Sequence, residues 1–493
     1  MRTLDLIVFF SYLVGVTLFG LSFFKKNRTS NSFTLGNQTI PSWVVGMSIF
    51  ATFVSSISYL ALPGSAYLGN WNAFVFSLSI PIAAVFAVKV FIPLYRKLNS
   101  PSAYTYLENR FGPWARTYAS ISYFLTQMMR IGTILYLLAL TINSIFGWHM
   151  VLVIVITGLV VMIYSVIGGI QAVVWTDALQ GIILISGALI CLVYIFFNMP
   201  FGITQVIEIA SKDQKFSLGS FGLDLSQPTF WVVFIYGVFI NLQNYGIDQN
   251  YVQRYIASKT EADAKRAAFF GGLLYIPVSL LFLFIGTALY AYYKSGVAML
   301  PSHLHDGDSS DSIFPFFIVN ELPVGLTGLL IASIFAAGMS TISTSYNSTA
   351  TVFLSDFYKK YFKSAPNDRQ AMKVLYLSSG LISIIGILIA IAMINVKSAL
   401  ETWWKMASVF SGGMLGLFLL GVFSRKSNTT GAIIGVCVGI ATILWMSLSG
   451  LLFGDEAFTN RFHGYLTIVF GTSTIFLVGF FLTHLLSKKE AQN

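Results

Sequence analysis

The sequence predicts an all-α integral membrane protein with about thirteen transmembrane helices, and three observations support this fold class. Hydrophobic residues make up 56% of the 493-residue chain and charged residues only 10%, whereas soluble domains carry about a quarter charged residues. The charges lie between apolar runs of about twenty residues or more, the length that a helix needs to cross a bilayer. Polar residues also recur inside several runs, where lipid would exclude them unless they serve a function.

The apolar runs predict one transmembrane domain over residues 1–493. The longest segments between them, 200–229, 294–312 and 356–373, are too short to bury a core. No nucleophile–base or metal-ligand constellation indicates an enzyme. The predicted spans are 4–24, 42–68, 72–95, 117–146, 150–168, 175–198, 230–253, 267–293, 313–355, 374–396, 402–423, 429–453 and 464–486.

The lysines and arginines between the spans predict the orientation. With the N-terminus outside, twenty of the 29 fall in cytoplasmic segments and seven in outer ones. Cytoplasmic loops are enriched in Lys and Arg, so we expect this topology, with the C-terminus in the cytoplasm. The net charge of +10 has the same cause. The expected partner is therefore the lipid bilayer, and no nucleic acid is expected.

Two spans contain polar clusters that predict interrupted helices. In the second, Ser55, Ser56 and Ser58 precede Pro63, and serine hydroxyls can bend a helix by bonding to its carbonyls. In the seventh, polar residues surround Gly246, and irregular backbone at membrane depth is tolerated only where it is buried or lines a cavity. The seventh-span residues are Asn241, Gln243, Asn244, Asp248 and Gln249. For the serines, small-residue helix packing is the alternative.

A third cluster is the hydroxyl ladder of the ninth span. Ser340, Ser343 and Thr344 share one helix face, and Ala337 and Thr341 belong to an overlapping stripe. Neutral oxygens at this density suit a desolvated monovalent cation, with close helix packing as the alternative. The fourth polar feature is Asp177, which lies at the start of the predicted sixth span. It could cap that helix or bind a cation.

The two interrupted helices are five spans apart. Transporters built from inverted repeats place discontinuous helices at equivalent positions of each half, with the substrate site between them. We therefore expect a five-plus-five inverted repeat over 42–198 and 230–423. The helix 4–24 at the N-terminus and the helices in 429–486 then flank it.

Four motifs in order along the chain resemble the sodium/solute symporter family: SFTLGNQTIPSWVVGMSIFATFVSS, GGIQAVVWTDALQG, IDQNYVQRY and the ladder after SIFAAGMS. The resemblance implies the leucine-transporter type of fold and Na⁺-driven uptake. Within the family the chain looks most like bacterial sialic acid transporters, which implies a bacterial plasma membrane protein carrying two Na⁺. By this resemblance the first Na⁺ site is Ala51, Val54, Ala337, Ser340 and Thr341. The second is Asp177, Ser340, Ser343 and Thr344.

The same resemblance suggests a binding site for an anionic sugar around Arg130, a charge deep in the fourth span. Its predicted members are Ser55, Ser56, Ser58, Ser77, Arg130, Asn241 and Gln243. Ser77 and Ala73 depart from the family pattern, which places an amide and an aromatic residue there. A guanidinium matches a carboxylate bidentately. Alternatively, Arg130 forms a permanent structural pair with Asp248.

The predicted function is therefore Na⁺-coupled symport of a sialic acid such as N-acetylneuraminate into the cell. The alternative is symport of another small carboxylate, such as proline, pantothenate or a monocarboxylate. A sensor or a channel is the rival from another class.

Overall fold

The computed structural model describes residues 3–24, 27–304, 310–395, 399–424, 428–454 and 458–490, and within them the chain is helical apart from turns and one isolated bridge between Ile40 and Ser258. The first half contains α1 Thr3–Leu21, α2 Ser30–Leu35, α3 Ser42–Phe53, α4 Ser56–Leu68, α5 Trp71–Leu98, α6 Thr105–Phe111, α7 Pro113–Phe146, α8 Met150–Asn198 and α9 Gly202–Lys212. The second half contains α10 Phe230–Ile247, α11 Gln249–Ala257, α12 Glu261–Lys294, α13 Ser310–Asn320, α14 Leu326–Phe362, α15 Asp368–Ala392, α16 Ala399–Phe423, α17 Thr429–Phe453 and α18 Leu466–Glu490.

In these described ranges, eleven helices are long and apolar enough to cross a membrane, or twelve if the bent pair α3 and α4 is one span. The count differs from thirteen because predicted spans 150–168 and 175–198 join in the 49-residue helix α8. At 1.5 Å per residue this helix is about 74 Å long, more than twice the ~30 Å hydrocarbon core. It is interrupted at Gly169, whose φ of 59° and ψ of −165° are not helical.

The predicted ninth span, 313–355, is also divided. The short helix α13 ends at Asn320, and the ladder helix α14 starts at Leu326. The N-terminal helix α1 caps α14, because the Asp5 carboxylate accepts the backbone N–H groups of Gly325 at 2.6 Å and Gly328 at 3.1 Å. A carboxylate is stabilised at a helix N-terminus. The N-terminal helix is thus anchored to the helix that carries the hydroxyls.

Both predicted helix interruptions are present. The second span breaks at Val54 and Ser55, which are extended (φ −88°, ψ 119° and φ −120°, ψ 177°), and its halves are bent by 49°. The seventh span breaks two residues beyond Gly246, at Asp248, with φ −72° and ψ 118°. The Asp248 side chain then caps the next helix by accepting the N–H of Asn250 at 2.8 Å. Asp248 suits this position because aspartate is a favourable N-cap residue.

Six of the charges counted for the orientation, Arg2, Lys25, Lys26, Lys397, Arg425 and Lys426, lie outside the described residues. Another of the counted charges, Arg254, is described but is not a loop residue as the sequence suggested. It lies in α11 and is 1% exposed. The reason is a buried partner, Asp177, described below.

Candidate substrate and cation sites

A central cavity lies between the two helix breaks. Ser55 and Ser58 line it from the first break, and Gln243, Asn244 and Asp248 line it from the second. The other lining residues are Phe53, Leu62, Ala73, Phe76, Thr126, Arg130, Tyr236, Ile240, Tyr251, Tyr275, Trp403, Trp404 and Ala407. Polar groups from both helix breaks thus line the same cavity as seven aromatic side chains, Phe53, Phe76, Tyr236, Tyr251, Tyr275, Trp403 and Trp404.

Arg130 reaches this cavity from α7. Its Nη2 donates to the carbonyl of Thr52 at 2.8 Å, at the end of α3 where the break leaves carbonyls without helical partners. Its Nη1 lies 3.8 Å from Oδ2 of Asp248, which is longer than a hydrogen bond. The Trp403 ring lies 5.9 Å from the guanidinium carbon. Arg130 is therefore held at one edge, while its other N–H groups have no hydrogen-bond partner among the described residues and can meet a ligand in the cavity.

The structure brings four of the predicted substrate residues to the cavity wall: Ser55, Ser58, Arg130 and Gln243. The Ser58 hydroxyl lies 3.4 Å from the hydroxyl of Tyr275. Gln243 also shares a helix face with Ile240 and Asn244, as the three-and-four spacing requires.

The other three predicted residues lie behind the wall. Ser56 is fully buried, and its hydroxyl has no hydrogen-bond partner within the described chain. Asn241 donates to the hydroxyl of Ser79 at 3.0 Å, about 100° around the helix from the lining face. Ser77 accepts a hydrogen bond from the Ser279 hydroxyl at 2.8 Å. The two hydrogen bonds direct Asn241 and Ser77 toward neighbouring residues behind the cavity wall.

Aromatic residues that the sequence reasoning did not single out cover one end of the cavity. The rings of Phe76 and Trp404 stack 5.9 Å apart, Tyr236 lies 5.5 Å from Trp404, and Tyr465 lies 4.9 Å from Tyr236. The adjacent residues Trp403 and Trp404 near the start of α16 could have indicated an aromatic wall. The sequence does not show which side of α16 faces the cavity, however, because that depends on how neighbouring helices pack against it.

The residues predicted for the first Na⁺ site converge, although 289 positions separate some of them. The Ser340 hydroxyl lies 3.4 Å from the Ala51 carbonyl at the end of α3, and 3.0 Å from the Ala337 carbonyl. The Thr341 hydroxyl lies 3.2 Å from the Ala337 carbonyl. The Val54 carbonyl belongs to the adjoining break. Oxygens of α14 therefore face carbonyls exposed by the break.

Two of the four residues predicted for the second Na⁺ site, Asp177 and Thr344, meet at a buried ion pair between Asp177 and Arg254. Asp177 Oδ2 lies 2.7 Å from Nη2 of Arg254 and accepts the Ser48 hydroxyl at 2.6 Å. Thr344 donates to the same oxygen at 3.3 Å. The other oxygen, Oδ1, has no hydrogen-bond partner within the described chain. Asp177 is fully buried and lies two turns beyond Gly169, inside α8, so it does not cap the helix.

The other two predicted residues, Ser340 and Ser343, share the face of α14 that carries Thr344, but within the described chain no hydrogen bond joins either of them to Asp177. The Ser343 hydroxyl donates to the Ser340 carbonyl at 3.0 Å, one turn back along the helix. The Thr344 hydroxyl also accepts from Nη2 of Arg254 at 2.7 Å. The sequence did not identify Arg254 as part of a buried site, because its neighbours resemble a loop and its partner Asp177 is 77 positions away. The chemistry available here is a carboxylate oxygen and neutral hydroxyls beside a fixed positive charge.

A second polar cavity lies beyond α11, at the end of the molecule that carries α2 and Lys359. Gln253 lies beside this cavity, since its Nε2 is 2.6 Å from the Thr34 carbonyl, 3.0 Å from Oδ1 of Asn347 and 3.2 Å from the Thr351 hydroxyl, and Thr34 and Thr351 line the cavity. These hydrogen bonds hold α11 to α2 and α14.

Comparisons with known proteins identify similar sequences and a similar fold. The sodium/sialic acid symporter NanT of Aliivibrio fischeri is 34% identical over 484 residues, covering 97% of this chain and 92% of that protein. The sodium/sialic acid symporter SiaT of Proteus mirabilis is 36% identical, covering 89% and 88%.

A solved structure of a Na⁺-coupled sialic acid symporter in a substrate-bound, outward-open state has a TM-score of 0.90, 32% identity and 98% coverage of both chains. The transporter Mhp1, at 14% identity and a TM-score of 0.58, shares the fold. The model of the sodium:solute symporter family matches residues 33–439. With four-fifths of its length matched and its helix breaks meeting at one cavity, the chain belongs to the sodium:solute symporter family.

Proposed function

We propose that this protein carries a sialic acid, with N-acetylneuraminate as the reference substrate, into the cell together with Na⁺ by alternating access. The observation that carries the proposal is Arg130, a cation in a central cavity between two broken helices, with N–H groups available to an anion. The two sialic acid symporters named above support the choice of substrate.

The substrate carboxylate binds Arg130, and the hydroxyls of Ser55 and Ser58 supply further hydrogen bonds. Gln243 and Asn244 face the hydroxyl and amide groups of the sugar. Ser56, Ser77 and Asn241 support the site from behind, because all three are buried and two of them bond to neighbouring side chains, Ser77 to Ser279 and Asn241 to Ser79. A neutral sugar would leave the guanidinium without a counter-charge, which is costly at membrane depth.

Two Na⁺ ions travel with each substrate. The first binds the carbonyls of Ala51, Val54 and Ala337 with the hydroxyls of Ser340 and Thr341, and thereby joins the first break to the ladder. The second binds the unpaired Oδ1 of Asp177 together with Ser340, Ser343 and Thr344. Support comes from the donor set, since hard neutral oxygens and one carboxylate suit this cation, and from the orphaned oxygen itself.

The fold follows a five-plus-five inverted repeat, 42–198 and 230–423, flanked by 4–24 and 429–486. The length of α8 supports two crossings that meet at Gly169, which brings the twelve spans to thirteen. In the bacterial plasma membrane the N-terminus then lies outside and the C-terminus inside. This orientation puts the second polar cavity on the cytoplasmic side, where substrate leaves.

Transport of another small carboxylate is the second candidate. Arg130 would bind any carboxylate, and the mouse sodium-coupled monocarboxylate transporter 2 is 30% identical over 91% of this chain. Lactate, pantothenate and proline therefore belong in the same assay.

The test is Na⁺-gradient-driven uptake of labelled N-acetylneuraminate into proteoliposomes. Arg130→Ala removes charge-assisted hydrogen bonds worth about 1.5–3 kcal/mol, so we expect apparent affinity to fall roughly ten- to hundredfold. Arg130→Lys restores the charge but not the fork, and recovers part of the loss. Arg369→Ala, on an exposed arginine, is the control. Uptake that ignores the Na⁺ gradient, or that prefers a monocarboxylate, contradicts the proposal.

A further inference from the structure

We propose that Asp248 competes with the substrate carboxylate for Arg130: it supplies the counter-charge in the empty cavity and gives way when substrate binds. This inference rests on the proposed function, because it assumes a carboxylate substrate held by Arg130.

The charges of Arg130 and Asp248 lie close together without forming a hydrogen bond. Nη1 of Arg130 and Oδ2 of Asp248 lie 3.8 Å apart, and the side chains are 11% and 4% exposed. An ion so poorly hydrated requires an opposite charge nearby, so each provides it for the other. Yet the separation exceeds that of a hydrogen bond. The pair therefore neutralises both groups without locking them together.

Each partner of this pair is also anchored elsewhere. Asp248 accepts the Asn250 N–H through Oδ1, and so caps α11. Arg130 donates to Thr52 at the opposite break. Neither side chain must move far when the pair is replaced by an Arg130–substrate pair. A structural salt bridge would instead show direct hydrogen bonds, as Asp177 and Arg254 do.

The consequence is a limit on affinity. A bound substrate carboxylate must displace the attraction between Arg130 and Asp248, and it then lies near a second negative charge. Both effects weaken binding and speed release. They also connect the breaks, because Arg130 contacts the end of α3 and faces the start of α11. Substrate thereby changes the electrostatic link between the two broken helices.

Asp248→Asn is the discriminating variant, because asparagine caps a helix as well as aspartate and differs only in charge. With saturating Na⁺, we expect the purified variant to bind N-acetylneuraminate roughly tenfold more tightly by calorimetry, and to transport it more slowly at saturation. Asp213→Asn is the control, since that carboxylate is an exposed partner of Lys294. Unchanged or weaker binding by Asp248→Asn overturns the inference, since it would make Asp248 a bystander or a direct substrate ligand.

A second measurement needs no substrate. Arg130→Ala leaves Asp248 as an uncompensated buried charge, so the thermal unfolding temperature should fall. Asp248→Asn added to it should restore part of that fall. An additive second decrease contradicts the inference. If the unmodified protein neither binds nor transports N-acetylneuraminate, the proposed function fails, whereas normal binding with an unaffected Asp248→Asn variant removes only this inference.

Discussion

Two charged residues, Asp177 and Arg254, illustrate what single side chains do inside this molecule. Both are almost fully buried, and Ser48 and Thr344 satisfy them further through hydrogen bonds. Removing one partner of such a pair leaves an isolated charge in a medium that cannot solvate it. The pair therefore joins α11 to α8 while it contributes an oxygen to a candidate cation site.

Asp177→Asn tests this double role. We expect it to destabilise the protein by about 3–5 kcal/mol, because Arg254 is left unpaired, and to weaken Na⁺ dependence. Thermal unfolding in detergent with and without Na⁺ measures both effects. Asp177→Asn combined with Arg254→Met should recover stability but not the Na⁺ response. A variant of Asp177 that binds Na⁺ poorly yet unfolds normally would show that the ion pair is dispensable.

The residue scale also marks the limit of sequence reasoning. Arg130 stands out because no neighbour in sequence can neutralise it, and the ladder stands out by its density of hydroxyls. Ser56 and Asn241 belong to the same polar clusters as the lining residues. A step of one position along a helix turns a side chain by about 100°, however, and only the packing of neighbouring helices decides which face meets the cavity.

Elements of this protein gain their function where they are interrupted. The breaks at Val54–Ser55 and at Asp248 expose backbone groups and place them around one cavity. The first break was predictable from three serines that precede Pro63, and the second from the polar residues around Gly246. The third break, at Gly169, was not predictable as an interruption within one continuous helix. The two long apolar runs on either side of it predict two separate spans.

Gly169→Ala examines that third break. Its φ of 59° with ψ of −165° is a region that only glycine occupies readily. A Cβ there would come within 3.1 Å of Phe33 Cα. We expect a loss of about 1–3 kcal/mol in thermal or denaturant unfolding. Gly380→Ala, in α15 with open space around it, should be neutral or stabilising. Equal behaviour of the two variants would contradict the assigned geometry.

The hydrogen bonds of Gln253 allow a test of what holds the short helix α11 in place. Gln253→Ala removes three polar contacts that hold α11 to α2 and α14. Amide hydrogen exchange should therefore rise in α11 and stay unchanged in α10. Gln227→Ala, on an exposed loop residue, is the control. Unaltered exchange in α11 would contradict this role of Gln253 and show that other contacts hold α11 in place.

At the scale of the whole molecule, coupling requires that cation and substrate stabilise the same arrangement of the two breaks. The ladder faces the first break, Arg130 faces both, and Arg254 fixes α11 to the helix that carries Asp177. Each ligand then raises the affinity for the other by an equal factor. The coupled assembly is invisible in the sequence because its members come from α3, α7, α8, α11 and α14.

Charge movement is the property of the whole transporter that this arrangement predicts. If two Na⁺ ions accompany one sialate anion, as proposed, each transport cycle carries one net positive charge inward. An inside-negative potential of 100 mV would therefore contribute about 2.3 kcal/mol to accumulation, roughly fiftyfold at equilibrium. Proteoliposomes with a fixed Na⁺ gradient and a valinomycin-imposed potassium potential provide the measurement. Ser343→Ala, which removes one hydroxyl of the proposed second cation site, should make uptake nearly indifferent to the potential and reduce the Na⁺ Hill coefficient toward one. If the unmodified protein is equally indifferent, only one Na⁺ accompanies the substrate, and the orphaned oxygen of Asp177 does not bind a transported ion.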